Sequence, residues 1–389
     1  MDRSLPILLV EPMREAFKLS DTQLGMVTGL SYGIAYGIGG LIVGPLLDRF
    51  NRVRMLSAMV FGWSALTAMC GLATSYAMLV AARIGVGAAE SGGTPASYSI
   101  VADTFPKDRR ATAIGLLKAG SPLGIFAASV VASVIAVNYG WQMAFLVAGI
   151  PGILLAIIAL FVIPGGIGKL PPSNHPPYNF RAALDFMGRS PGVSWLMVGI
   201  IIYMLASAGA GGFQMSLFQR VHGLSLKEMS WFYGAAHMVS TLGPIGAALI
   251  CDRLARRDVR LPLVLLSTIS LVAMILGTAM SLSDNVNVAL GMMIAWQIVA
   301  ASLSAPAFAT LLTLTPPQMR GTVTGTLSAG MYLFGIGPAP VIAGSVSDAL
   351  GGGDMVRYAI VVMSMTYIIA LACFAACYHK LKGHDKPAL

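Results

Sequence analysis

Charge is scarce in this chain: only 11% of its 389 residues are Asp, Glu, Lys or Arg, against 56% hydrophobic residues and a mean hydropathy of +0.77. That balance excludes a soluble domain of this length and leaves a polytopic membrane protein. Cysteine is scarce too. Cys70, Cys251, Cys373 and Cys377 lie in or beside apolar runs without histidines at metal-ligand spacing, so packed thiols are expected rather than disulfides or a metal centre. No Walker loop, no paired metal-binding histidines and no serine elbow occur, which argues against an enzyme, and no cofactor is expected. The net charge of +9 would suggest nucleic acid in a soluble chain, but there is no aromatic-interleaved basic patch, and nucleic acid is not an expected partner. The start has neither a basic leader region nor a small-residue cleavage site, so no cleavable signal is expected.

What the chain does have is long apolar runs. Stretches able to cross a hydrocarbon core of about 30 Å fall at 24–46, 55–75, 76–104, 111–137 and 141–163, then 192–219, 228–251, 260–281, 286–314, 319–346 and 356–379. Ahead of them, residues 1–10 are apolar except for Asp2 and Arg3, and a polar segment follows through Asp21. Ten helical residues cover about 15 Å, so this opening reads as the second half of a first span, truncated at its N-terminus. Basic residues sort onto one set of loops: Arg49, Arg52 and Arg54; Lys107, Arg109 and Arg110; Lys169, Arg181 and Arg189; Arg253, Arg256, Arg257 and Arg260; Arg320; and Lys380, Lys382 and Lys386. The opposite set holds Arg14, Lys18, Arg220, Lys227 and Arg357. The first set, with the C-terminus, is therefore expected in the cytoplasm of a multi-pass inner (plasma) membrane protein.

Three ionisable residues stand well inside the spans. Arg83 and Glu90 are seven residues apart, close to two helical turns, on one face and roughly 10 Å apart along the axis. A charge at bilayer depth costs at least roughly 2.5–3.5 kcal/mol, which makes it a functional candidate. A buried carboxylate near a guanidinium can hold a proton or be ionised against the cation, because desolvation and the neighbouring charge act in opposite directions. Glu90 is the expected proton site, with Asp2 assisting and Arg83 as a movable counter-charge; the competing reading is a static ion pair. Lys118, about 12 Å past the membrane edge by helix rise, is either a snorkelling lysine or a cationic anchor for an anionic solute. Thr94 lies on the Glu90 face. In the second half the interior candidates are neutral: Tyr203, Gln214, His237, Trp296, Gln297 and Tyr332, with the Gly209–Gly212 run as a hinge.

The halves echo one another. Asp48-Arg49 followed by Arg52 and Arg54 matches Asp252-Arg253 followed by Arg256 and Arg257, and Arg110-Ala-Thr-Ala-Ile-Gly115 matches Arg320-Gly-Thr-Val-Thr-Gly325. Asp48 and Asp252, beside Arg49, Arg52 and Arg253, are candidates for a cytoplasmic gate latched by charge-assisted hydrogen bonds, or for topogenic charge alone. The Pro-rich stretch makes the expected division 1–163, a linker at 164–191, and 192–389.

The stretch from Gly44 through Asp48-Arg49-Phe-Asn-Arg52-Val-Arg54 resembles the signature between helices 2 and 3 of the major facilitator superfamily, with Asn51 at the usual second glycine and Ala248 where the second half would repeat Gly44. Asp2-Arg3, Arg83-Ile-Gly-Val-Gly-Ala-Ala-Glu90 and Asp103-Thr-Phe-Pro106 resemble its Spinster-like bacterial branch. The resemblance implies an all-α membrane fold of two six-helix bundles related by a pseudo-two-fold axis, with a central cavity and rocker-switch transport, often proton-coupled. It also implies coupling and gating roles for Asp2, Arg83 and Glu90. The expected function is secondary active transport of a small organic, anionic or amphiphilic solute by a monomer, with solute, protons and the lipid bilayer as partners. The alternatives are a proton-antiport lipid or drug exporter and, from another class, a non-transporting membrane receptor or scaffold.

Overall fold

A computed structural model describes residues 3–47, 49–106, 109–162, 180–316 and 319–382. Among these residues there is no strand, and the helices form twelve columns. In the first bundle α1 comprises Leu5–Leu8 and Val10–Phe17, α2 runs from Asp21–Gly25 through Met26–Leu30 to Ser31–Leu47, and α3 is Arg52–Gly71. Then α4 comprises Tyr76–Glu90 and Gly93–Thr104, α5 is Arg110–Tyr139 and α6 is Trp141–Val162. A short helix, Phe180–Arg189, precedes the second bundle. There α7 comprises Pro191–Gly212 and Gln214–Arg220, α8 Leu226–Ser240 and Leu242–Ala255, and α9 is Leu261–Leu282. Finally α10 comprises Val286–Ser302 and Ser304–Leu314, α11 Arg320–Gly330, Met331–Ile336 and Ala339–Ala349, and α12 Val356–Met365 and Tyr367–Lys382.

Among the described residues, ten helices are long and apolar enough to cross a membrane. The expected fourth span, 76–104, is not one continuous helix: it breaks at Ser91–Gly92, immediately after Glu90, and resumes at Gly93. The polar segment expected after residue 10 is instead helical to Phe17 and stops at Lys18, whose left-handed backbone (φ 53°) ends α1. Glu11 is tolerated inside that helix because Arg220 reaches it. The Gly209–Gly212 run ends the first segment of α7, which resumes at Gln214.

Local sequence sets the helix starts. Ser75 accepts from the Met78 N–H at the head of α4, and Asn51 from the Arg54 N–H at the head of α3. Ser225 and Glu228 form a reciprocal capping box on α8, as Ser20 and Gln23 do on α2. The internal repeat is visible in the breaks: α4 is interrupted at Ser91–Gly92 and α10 at Leu303, and the matched Arg110 and Arg320 both open their helices. Arg181 and Arg189 lie in the first and last turns of the short helix, whose Phe186 and Met187 pack on the second-bundle core.

The bundles meet along two helix pairs. In the α2–α11 pair an ideal Cβ on Gly25 would lie 2.3 Å from the Pro340 carbonyl oxygen, one on Gly33 2.5 Å from Gly337 Cα, and one on Gly344 2.2 Å from the Asp21 carbonyl oxygen. These are backbone-to-backbone approaches that only glycine permits. In the α5–α8 pair, Gly234 packs on Phe126 and Ser129, and the Phe126 and Trp231 rings are 5.0 Å apart. Both crossings lie toward the ends of the columns away from the arginine-rich loops, so the molecule is closed at that face.

The same close packing operates inside the second bundle, where a Cβ on Gly243 would lie 2.1 Å from the Ile298 carbonyl oxygen, whereas one on Gly246 meets nothing within 4 Å. Gly243→Ala is expected to destabilise by about 1–3 kcal/mol through overpacking and to lower the thermal unfolding midpoint in detergent. Gly246→Ala, gaining helix propensity without a clash, should leave that midpoint unchanged or raise it.

Candidate functional site

Glu90 ends the first segment of α4, and its carboxylate faces the middle of the molecule with a side chain 11% exposed. Arg3 Nε donates to Glu90 Oε2 at 2.6 Å, and the Tyr32 hydroxyl donates to the same oxygen. Arg3 Nη1 donates to the Tyr332 hydroxyl at 2.9 Å. The Arg3 guanidinium carbon lies 5.3, 4.7 and 5.9 Å from the ring centroids of Tyr32, Tyr36 and Tyr332, within cation–π range. The turn leading into α1 and the columns α2, α4 and α11 therefore converge on one carboxylate and one guanidinium, and α11 brings in the second bundle.

The cation beside Glu90 is not the expected one. Arg83 is 1% exposed, and its Nε donates to the Val27 carbonyl at 3.1 Å while its guanidinium carbon lies 5.0 Å from the Tyr32 ring centroid. Two turns of helix place Arg83 too far along the axis to reach Glu90 directly; Tyr32 stands between them. The Val27 carbonyl is available because residues 26–30 of α2 form a π-helical turn, in which the Ser31 N–H bonds back to Met26 instead. Asp2, expected to assist, lies outside the described residues.

Beside the pair is a cavity of about 280 Å³ lined by Arg3, Trp63, Glu90, Gly93, Thr94, Ser97, Tyr98, Leu117 and Ser121. Thr94 lines it as expected. Lys118 lies in α5 next to Leu117, but its side chain is outside the described set. The second-bundle candidates divide. Tyr332 reaches Arg3, whereas the others pack within their own bundle. Gln297 Nε2 donates to Gln214 Oε1 at 2.9 Å, the Tyr203 hydroxyl donates to the Ala300 carbonyl at 3.2 Å, and His237 Nδ1 lies 3.0 Å from the Tyr233 carbonyl. Trp296 is buried. None of these five lines the cavity: Gln214, Gln297, Tyr203 and His237 bond neighbours in their own bundle, and the Trp296 Nε1 is buried without a hydrogen-bond partner among the described residues.

At the arginine-rich loops, Arg52 Nη1 bonds Asp103 Oδ2 at 2.7 Å, joining the head of α3 to the end of α4. Asp48 lies outside the described residues, and Arg49 and Arg253 are exposed. Asp252, with Cys251, Thr310 and Thr313, borders a pocket of about 90 Å³. At the constant repeat offset Thr313 stands where the first bundle has Asp103, so the second bundle has no carboxylate to repeat the Arg52 bridge. In the adjoining loop, hydrogen bonds from Arg260 hold the Asp258 carboxyl below its ordinary range.

A second charged cluster, not expected from the sequence, lies at the opposite face. Arg220 at the end of α7 pairs with Glu11 at 2.7 Å and with both oxygens of Asp21 at 2.8 and 2.9 Å. Asp21 is 1% exposed and Arg220 7%. The only advance signal was that Glu11, Asp21 and Arg220 are charges at span ends, which composition alone does not pair. Arg3, Tyr32 and Tyr36 were missed at the central site, although Tyr32 and Tyr36 are one helical turn apart on one face of α2.

The known proteins most informative for this geometry agree. An MFS-type efflux pump of Mycolicibacterium smegmatis is 27% identical, the match covering 96% of this chain and 88% of that one. The cis,cis-muconate transport protein of Acinetobacter baylyi is 26% identical over 63% of this chain and 61% of its own length. A probable L-galactonate transporter of Escherichia coli is 32% identical over 40% of this chain and 34% of its own. In fold, the chain superposes with a TM-score of 0.87, at 24% identity, on the crystal structure of a bacterial homolog to the human lysosomal transporter Spinster in an inward-facing, unoccupied conformation, covering 100% of this chain and 95% of that one. The model of the Major Facilitator Superfamily matches residues 1–338. With two six-helix bundles closed at one face and a charged pair at their centre, the chain belongs to the major facilitator superfamily.

Proposed function

We propose that this chain is a secondary active transporter that moves a small organic acid across the membrane by alternating access, coupled to protons through Glu90. The observation that carries this reading is the Arg3–Glu90 pair on the wall of the cavity, with Arg3 44% exposed and Glu90 its ion-pair partner. The muconate and galactonate carriers among its relatives are named for organic acids, which is the class a half-exposed guanidinium selects.

The chemistry follows from competition for one cation. A solute carboxylate entering the cavity can take hydrogen bonds from Arg3 only by weakening those to Glu90. Deprived of its counter-charge in a poorly solvated site, Glu90 then binds a proton. Solute and proton are thereby loaded together, and neither the bare anion nor the bare carboxylate has to cross unpaired. Asp2 assists the transfer. Arg83, fixed by the Val27 carbonyl and the Tyr32 ring, keeps the region positive. Lys118 and Thr94 add anchoring contacts, and Tyr332 closes the site from the second bundle. Tyr203, Gln214, His237, Trp296 and Gln297 shape the second-bundle wall behind it.

We assign the arginine-rich loops and the C-terminus to the cytoplasm by the excess of positive charge, so the closed face is external. The segments 1–163 and 192–389 move as two bodies joined by 164–191. The Arg52–Asp103 bridge stiffens the cytoplasmic ends of α3 and α4, and Asp48, Arg49, Asp252 and Arg253 complete the inner gate. The efflux pump that matches nearly the whole chain favours a second reading, proton-antiport export through the same site. The direction of proton-driven flux of a dicarboxylate in oriented vesicles decides between them.

In proteoliposomes, Glu90→Gln is expected to lose accumulation of a dicarboxylate driven by a pH gradient, while solute exchange without the gradient continues; wild-type accumulation in this variant would remove Glu90 from coupling. Arg3→Gln should weaken dicarboxylate binding roughly 10–100-fold, the loss of a charge-assisted hydrogen bond, measured by calorimetry on folded protein. Lys118→Glu should abolish binding of the same solute with an unchanged unfolding midpoint, and unchanged affinity would assign Lys118 to snorkelling.

A further inference from the structure

The charged cluster at the closed face is not accounted for by the central site, which lies near the middle of α2, whereas the cluster is at its start. Arg14 of the first bundle lies 3.7 Å from Glu11 and 3.9 Å from Asp21, but the shorter bonds of Arg220 to the same two carboxylates run from one bundle to the other. Arg220, from the second bundle, uses all three guanidinium nitrogens: Nε to Glu11 Oε1 at 2.9 Å, Nη1 to Asp21 Oδ2 at 2.9 Å and Nη2 to Asp21 Oδ1 at 2.8 Å. The fork on Asp21 is the bidentate geometry that makes arginine–carboxylate pairs strong. The Ser347 hydroxyl, from α11, donates to Asp21 Oδ2 at 2.6 Å. Among the described residues, the ion pairs that join the bundles are confined to this cluster.

Asp348 adds a helix cap supplied across the bundle boundary. Its carboxylate accepts from the Asp21 N–H at 2.9 Å, the Thr22 N–H at 2.8 Å and the Thr22 hydroxyl at 2.6 Å. The two N–H groups are orphan donors of the first turn of α2, where a carboxylate also meets the positive end of the helix dipole. Yet α2 has a capping box of its own from Ser20 and Gln23. Asp348 can therefore leave without α2 unwinding, its two N–H groups passing to the water that enters. The contact is thus built to be made and broken, and the glycine approaches at Gly25 and Gly344 keep it dry while it is made.

We propose that Arg220, held by Glu11 and Asp21 and backed by the Asp348 cap, is the latch that closes this face, and that its release is the step that lets the central cavity reach it. The proposal rests on the alternating-access reading, but it concerns a separate set of residues and is read without any solute. Spin labels on Ala16→Cys and Lys227→Cys, exposed positions of the two bundles at this face, report the separation by pulsed dipolar spectroscopy in nanodiscs; the four native cysteines are buried. The expected result is a longer-distance population that rises about tenfold in Arg220→Gln relative to the parent, as loss of roughly 1.4 kcal/mol of preference gives. Arg220→Lys, unable to fork onto Asp21, should fall between. Should Arg220→Gln fail to fold, Asp348→Asn, which keeps the ion pairs and weakens the cap, reads the same shift. Distance distributions identical to the parent in the folded variants would overturn the latch, and would do so whether or not the protein carries an organic acid in a transport assay.

Discussion

A charge inside an apolar helix bundle must find its partner within the protein, and that constraint organises this molecule. Glu90 cannot be left to lipid, so Arg3, Tyr32 and, through Arg3, Tyr332 are drawn to it from the turn before α1, from α2 and from α11. Arg83 cannot be left either, and α2 meets its need with a π-helical turn that frees the Val27 carbonyl. The break in α4 directly after Glu90 then widens the space beside the pair, where the cavity lies. The same constraint acts at the closed face, where the buried Glu11 and Asp21 meet Arg14 of their own bundle at 3.7 and 3.9 Å and, more closely, Arg220 from the other bundle.

The two bundles carry different chemistry. In the first, ionisable groups line the cavity. In the second, the interior candidates are neutral, and Gln214 bonds Gln297 while Tyr203 bonds the α10 carbonyls. A pair of amides satisfied inside its own bundle costs little when the bundles move, whereas an ion pair spanning them must be broken. Placing the inter-bundle charges at one end of the molecule, around Arg220, makes that end a place where bundle separation can be controlled. The arginine-rich end is built otherwise: its bridge, Arg52 to Asp103, stays within the first bundle, and Thr313 replaces the carboxylate that would repeat it in the second.

Much of this was legible in the sequence. Apolar runs placed the columns, the spacing of Asp48-Arg49 and Asp252-Arg253 revealed the repeat, and two intramembrane charges pointed to the fourth column. The partner of Glu90 was not legible, because a helical rise says how far apart Arg83 and Glu90 are on one helix but not which neighbouring helix presents a cation. Nor was the split of α4: Ser91-Gly92-Gly93 permits a break without requiring one. The Arg220 cluster was hidden for the same reason, since Glu11 and Arg220 are 209 positions apart and become neighbours only when the bundles close. The second-bundle candidates were chosen as polar residues in apolar spans, and polarity alone does not separate a cavity wall from a pair of amides that satisfy each other.

The central claim is that solute and Glu90 compete for Arg3, so that filling the cavity loads a proton. Its most direct measurement is the pH change when a dicarboxylate is added to the purified protein in weakly buffered solution. The account predicts proton uptake accompanying solute binding in the parent protein and its loss in Glu90→Gln with binding retained. Solute binding without proton exchange, or the same uptake in both proteins, would contradict it.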